Sequence, residues 1–200
     1  MSELSLNEVE SLALKVGRGA GFPWGLAEDI GRGARALAQR GFPWAEALVG
    51  LARDAGIWQA PSPQRVEGWR ERRPEIELAA PLCPVRAGAL LIDDPSVLGG
   101  LPLRLANVGL PLWIAALLAA SGKDLDAEWP EASIDGQMTP VADVTIWPRA
   151  AQSAPTTLRR RSCADEAVLA ALGAVAARVY VPASESSRAK GAGGGSVDDE

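Results

Sequence analysis

Through the first sixty positions, apolar residues recur at helical spacing. Val9, Leu12, Ala13 and Val16 fall on one face of a helix. Ser5-Leu6-Asn7-Glu8 in front of them is a capping box, with a serine oxygen for the N3 amide and a glutamate reaching back to the cap. Gly17 and Gly19 are expected to end this helix. Two amphipathic segments follow. One carries Leu26, Ala27, Ile30, Ala34 and Leu37, the other Ala45, Leu48, Leu51 and Ala52. Both open on the same four residues, Gly21-Phe22-Pro23-Trp24 and Gly41-Phe42-Pro43-Trp44. Glycine closes the preceding helix in a left-handed conformation, and proline, lacking an amide hydrogen, suits the first turn of the next. The phenylalanine can staple back onto that turn. The pattern predicts three short helices, two with matching starts.

The texture then changes. From Gln59 to Pro84 the chain is broken by Pro61, Pro63, Pro74, Pro81 and Pro84, with mixed Arg and Glu between them and a short helical piece over Val66–Arg72. Ala87–Ile92 reads as a strand closed by Asp93-Asp94-Pro95. Leu101, Leu103 and Leu105 alternate with other residues, as in a half-buried strand. Pro111 starts a helix through Trp113, Ile114, Leu117 and Leu118 to Gly122, apolar almost all round and so expected to be buried. Leu125–Trp129 and Val141–Trp147 read as strands, and Ala150–Thr157 as loop. Ser162-Cys163-Ala164-Asp165 resembles a second capping box, before a helix that buries Val168, Leu169, Leu172, Val175 and Ala176. The class expected is α+β: a helical module over 1–60, a Pro- and charge-rich linker over 61–84, an α+β core over 85–190 and a Gly-rich acidic tail over 191–200. In the core, a small mixed or antiparallel sheet is packed by the buried helix and the C-terminal helix.

Composition narrows the chemistry. The chain has no histidine, which excludes a Ser-His-Asp or Cys-His pair, a His-ligated zinc and a histidine base. Two cysteines cannot form a four-cysteine metal site, and no cofactor is implied. The net charge of −5 provides no overall basic field for nucleic acid or anionic lipid. The most apolar stretch, Leu110–Ala120, is about half a membrane span, and no signal-peptide pattern opens the chain, so the expected location is cytoplasmic.

Several groups are candidates for a site. Trp24 and Trp44 either line a pocket or partner groove or pack the helix junctions, and aromatic residues at junctions are usually core. Cys163, placed just inside a helix start and after Arg159-Arg160-Arg161, has surroundings that favour a thiolate; the alternative is a small packing residue in the first helical turn, since free cysteine usually behaves as a small hydrophobe. Cys83 reads as buried. Ser184, Ser187, Arg188 and Lys190 lie in a segment whose hydroxyls, cations and following glycines suit an anion, with Arg188 as clamp and Ser184 as a second nucleophile candidate. The alternative is a plain tail. Asp93, Asp94, Asp135 and Asp143 offer oxygen ligands, but their spacing demands no metal and Asp-Asp-Pro is ordinary turn chemistry.

Leu4–Lys15 continuing into Gly19–Glu28, together with Tyr180-Val181-Pro182-Ala183-Ser184-Glu185-Ser186-Ser187-Arg188 and the Gly191-Ala192-Gly193 that follows, resemble an uncharacterised bacterial family, domain of unknown function 3726. The two stretches enclose nearly the whole chain, which implies a full-length member. The family's tail pattern, Gly-Ala-Gly-Ala-Gly and then Asp-Asn-Asp, here reads Gly191-Ala192-Gly193-Gly194-Gly195 and Asp198-Asp199-Glu200. The resemblance implies no activity. The first helix and its Gly-Ala-Gly-Phe successor are also similar to the start of type-2 malate and lactate dehydrogenases. Those enzymes use a histidine and a larger nicotinamide-binding domain, neither of which this chain has. Two functions are expected to compete. One is a non-catalytic accessory subunit of a metabolic system, docking a protein partner or a second copy. The other is a small enzyme or binding protein for an anionic metabolite, working through the C-terminal Ser/Arg/Gly segment with a carboxylate or lysine as base.

Overall fold

The computed structural model describes residues 1–58, 80–94, 101–129, 141–149 and 158–180. In chain order the elements are β1 (Ser2–Ser5), α1 (Leu6–Gly19), α2 (Trp24–Arg40), α3 (Trp44–Asp54), α4 (Pro84–Asp93), β2 (Leu103–Gly109), α5 (Leu112–Ser121), β3 (Leu125–Glu128), β4 (Val141–Pro148), β5 (Arg161–Ala164) and α6 (Glu166–Ala176), which runs into a 3-10 turn, Ala177–Val179. The class is α+β, as the pattern predicts. The helical piece at Val66–Arg72, most of the linker, the loop at Ala150–Thr157 and the tail over 191–200 lie outside the described residues.

Local chemistry sets the helix starts. The Ser5 hydroxyl accepts from the Glu8 amide at 3.3 Å, and the Ser5 amide donates to Glu8 Oε2 at 2.7 Å, so the capping box is complete. Gly21 and Gly41 take positive φ values of 94° and 80°, which glycine adopts without a Cβ clash. The prolines stand one residue earlier than expected, at the caps, and Trp24 and Trp44 are the first helical residues. Gly17 does not end α1; the helix runs past it to Gly19.

The elements form three layers. β2, β4 and β3 make an antiparallel sheet in that spatial order, and β1 pairs with β5 in a separate antiparallel ribbon. One core cluster gathers Val9, Val16, Ile30, Leu37, Trp44 and Leu48 from α1–α3 with Trp113, Leu117 and Leu172. The other gathers Leu103, Leu105, Val144 and Ile146 from the sheet with Ala87, Leu91, Ile114 and Leu118. α5 therefore gives Trp113 and Leu117 to one core and Ile114 and Leu118 to the other. Its all-round apolar surface follows from this central position.

Two expected elements differ. Ala87–Ile92 is not a strand but most of α4. Pro84 at its first turn starts a helix, and a short apolar run buried on two sides has no period to tell strand from helix. Val85 faces the helical core, while Ala87 and Leu91 face the sheet. Ser162–Asp165 is not a capping box either. Arg161–Ala164 is strand β5, and Asp165 is the true cap, accepting from the amides of Ala167 at 2.8 Å and Val168 at 3.4 Å.

Candidate functional site

The twin openings have opposite environments. Trp44 is 1% exposed, and its indole N–H donates to the Ser162 hydroxyl at 3.1 Å. Ser162 faces inward because β5 pairs with β1, with Leu4 opposite it. The start of α3 is thus covered by chain more than a hundred residues away, and Trp44 packs a junction. Trp24 is 58% exposed. One face of its ring is held by the Arg18 guanidinium, 4.8 Å from the ring centroid. Arg18 is fixed in turn by donating from Nη1 to the Phe22 carbonyl at 2.6 Å.

The surface continues along α1. Lys15, one turn before Arg18, places its ammonium 6.0 Å from the ring of Tyr180, which is itself 61% exposed. Two cations and two exposed aromatic rings are therefore interleaved over the end of α1, the start of α2 and the turn after α6. Among the described residues neither Lys15 nor Arg18 is in an ion pair. The Lys15–Tyr180 contact was hidden in the sequence, because it depends on α6 packing back on α1.

Among the described residues, the other candidates do not assemble. Cys163 is exposed on β5, opposite Glu3 across the ribbon. It precedes the Asp165 cap, so the first-turn amides of α6 are not aimed at its sulfur. This corrects the placement just inside a helix. Two of the three arginines have separate partners. The Arg159 amide donates to the Gln39 carbonyl at 2.7 Å, and Arg161 pairs with Glu3 at 2.8 Å. Cys83 is buried, and burial pushes its thiol pKa up. Asp143 accepts from the Asn107 amide at 2.9 Å and pairs with Arg104, which braces the irregular step between β2 and β4. Asp93 lies near Asp29 on α2, whose carboxyl is held above its ordinary value chiefly by burial, with Arg32 opposing. Among the described residues no group of three or more metal-ligating side chains comes together. Asp135 and the anion candidates Ser184, Ser187, Arg188 and Lys190 lie outside the described residues. No described helix is long and apolar enough to cross a membrane.

Comparison with known proteins places this surface in context. No curated protein and no solved structure matches the chain. Residues 4–80, which include α1–α3 with Lys15, Arg18 and Trp24, match the family model described as "Protein of unknown function (DUF3726)", so over this stretch the chain is similar to that domain-of-unknown-function family.

Proposed function

We propose that this protein is a non-catalytic accessory subunit that docks a protein partner through the Trp24 surface. The observation that carries the reading is the contrast between two tryptophans on identical four-residue openings, one 1% and the other 58% exposed. The core accounts for Trp44. It does not account for Trp24, whose ring is held against the solvent side of the helix junction by a guanidinium. A rigid aromatic side chain of this size loses little conformational entropy on burial and contributes much contact area, which is why tryptophan is enriched among the residues that dominate interfaces. The Arg18 contact preorganises it further.

Affinity purification with the full chain as bait, compared with its Trp24→Ala variant, tests the reading. The variant is expected to keep the wild-type circular dichroism and thermal transition and to lose the co-purifying partner. A folded variant that retains every partner of the wild type overturns the proposal. Global unfolding of the variant would assign Trp24 to the fold instead.

A further inference from the structure

We infer that the segment seated on the Trp24 surface is an acidic stretch of the partner protein; this rests on the docking reading above. The chain is acidic overall, with 25 Asp and Glu against 20 Lys and Arg. Many of its arginines are occupied by its own carboxylates: Arg32 by Glu28 and Asp29, Arg35 by Glu10, Arg104 by Asp143, Arg149 by Asp126 and Arg161 by Glu3. Lys15 and Arg18 are among the described cations outside such pairs, and they are set apart by lying against exposed aromatic rings. They stand one helical turn apart on α1.

Arg18 has donors to spare. One N–H goes to the Phe22 carbonyl, and Nε is buried with no acceptor. Its contact with Trp24 partly strips the guanidinium of water, so a carboxylate meeting its outer edge would be less screened than at a fully solvated arginine. The neighbouring start of α2 adds to the same preference. Its cap is Pro23, with no side-chain hydrogen bond, and its first turn holds no acidic residue. Acidic side chains from the partner would meet Lys15 and Arg18, while an apolar residue beside them covers the open part of the Trp24 ring. A basic or purely apolar segment would leave both cations facing like charge or no charge.

A fluorescent short peptide of Asp and Glu around a central leucine, and the same peptide with Lys for each acid, are titrated into the full chain by polarisation. The acidic peptide is expected to bind and to weaken steeply with added salt, and the basic peptide not to bind. Lys15→Glu and Trp24→Ala should each weaken binding about tenfold or more. Lys15 is exposed, so its reversal leaves the fold intact by thermal melting, and Arg18→Lys serves as a milder change at the partly buried position. Failure of the acidic peptide to bind, equal binding of the basic one, or indifference to Lys15→Glu overturns the inference. A concentration-dependent dimer abolished by Trp24→Ala would assign the surface to a second copy, and binding seen only after removal of residues 191–200 would assign it to the chain's own acidic end; either result also overturns it. A natural partner lost with Trp24→Ala but kept by Lys15→Glu would leave the docking reading standing and remove only the acidic one.

Discussion

At the scale of single residues, Trp24 and Trp44 have the same chemistry and the same local neighbours in sequence, yet their energetic roles are opposite. Trp44→Ala removes a buried side chain and leaves the Ser162 hydroxyl without its donor, so it is expected to destabilise by about 3–5 kcal/mol. Trp24→Ala removes an exposed ring and one cation–π contact, a loss of about 1 kcal/mol or less. Urea denaturation of the two variants checks the contrast, and equal losses would refute it. The cysteines divide in a similar way. Cys163 is exposed on an edge of the ribbon, whereas Cys83 is buried with its thiol held protonated by desolvation. A thiol reagent should therefore label one sulfur per native chain, at residue 163 by peptide mapping, and reach the second only on unfolding. The burial of Cys83 was legible from its apolar neighbours. The surroundings of Cys163 were not, because two adjacent motifs competed for one helix start and Asp165 supplied the better cap.

Among the elements, α1 shows what spacing alone can and cannot convey. Its capping box was visible as Ser5 and Glu8 three residues apart, and it forms as expected. Ser5→Ala should cost about 1 kcal/mol at neutral pH. The Glu8 carboxyl pKa is lowered, first by the hydrogen bond from the Ser5 amide and then by its hydroxyl. A lowered folded pKa contributes stability above the ordinary carboxylate range, and that contribution is lost as pH falls through the folded value. The gap between wild type and Glu8→Ala should therefore narrow in acid, as read from thermal transitions across that range; a constant gap would speak against the carboxylate's part in the capping box. The end of α1 was less legible. Gly19 reads in sequence as a helix stop, but a Cβ there would stand 2.0 Å from the Val175 carbonyl oxygen on α6. Gly19→Ala must push α6 away and is expected to cost about 1–3 kcal/mol by the same denaturation assay. A lesser loss would mean that α1 and α6 can separate freely. α4 has the sequence pattern of a strand for a related reason: the partners that bury its two sides lie in other elements.

For the whole molecule, α5 is the link between layers. Its residues Trp113 and Leu117 belong to the helical core, and Ile114 and Leu118 to the sheet core. Loss of either core strips one side of the helix, so chemical denaturation is expected to give one transition, coincident by tryptophan fluorescence and far-UV circular dichroism. Two separated transitions would show that the layers melt independently. The burial of α5 was predictable from its composition, because a helix apolar on every side has no face to offer water. The starts of α1, α2 and α3, the strands at β2, β3 and β4 and the α+β class were equally local, set by caps, turns and periodicity. Only the tertiary structure decided which of two identical Phe-Pro-Trp openings would be covered. Coverage came from β5 and α6, distant in sequence, which reach the start of α3 and leave the start of α2 open. Local propensity acts over a few residues, whereas exposure depends on everything that packs against a position, and so the chain alone determined most of its elements, while the tertiary structure decided α4, the β1–β5 ribbon and the surface.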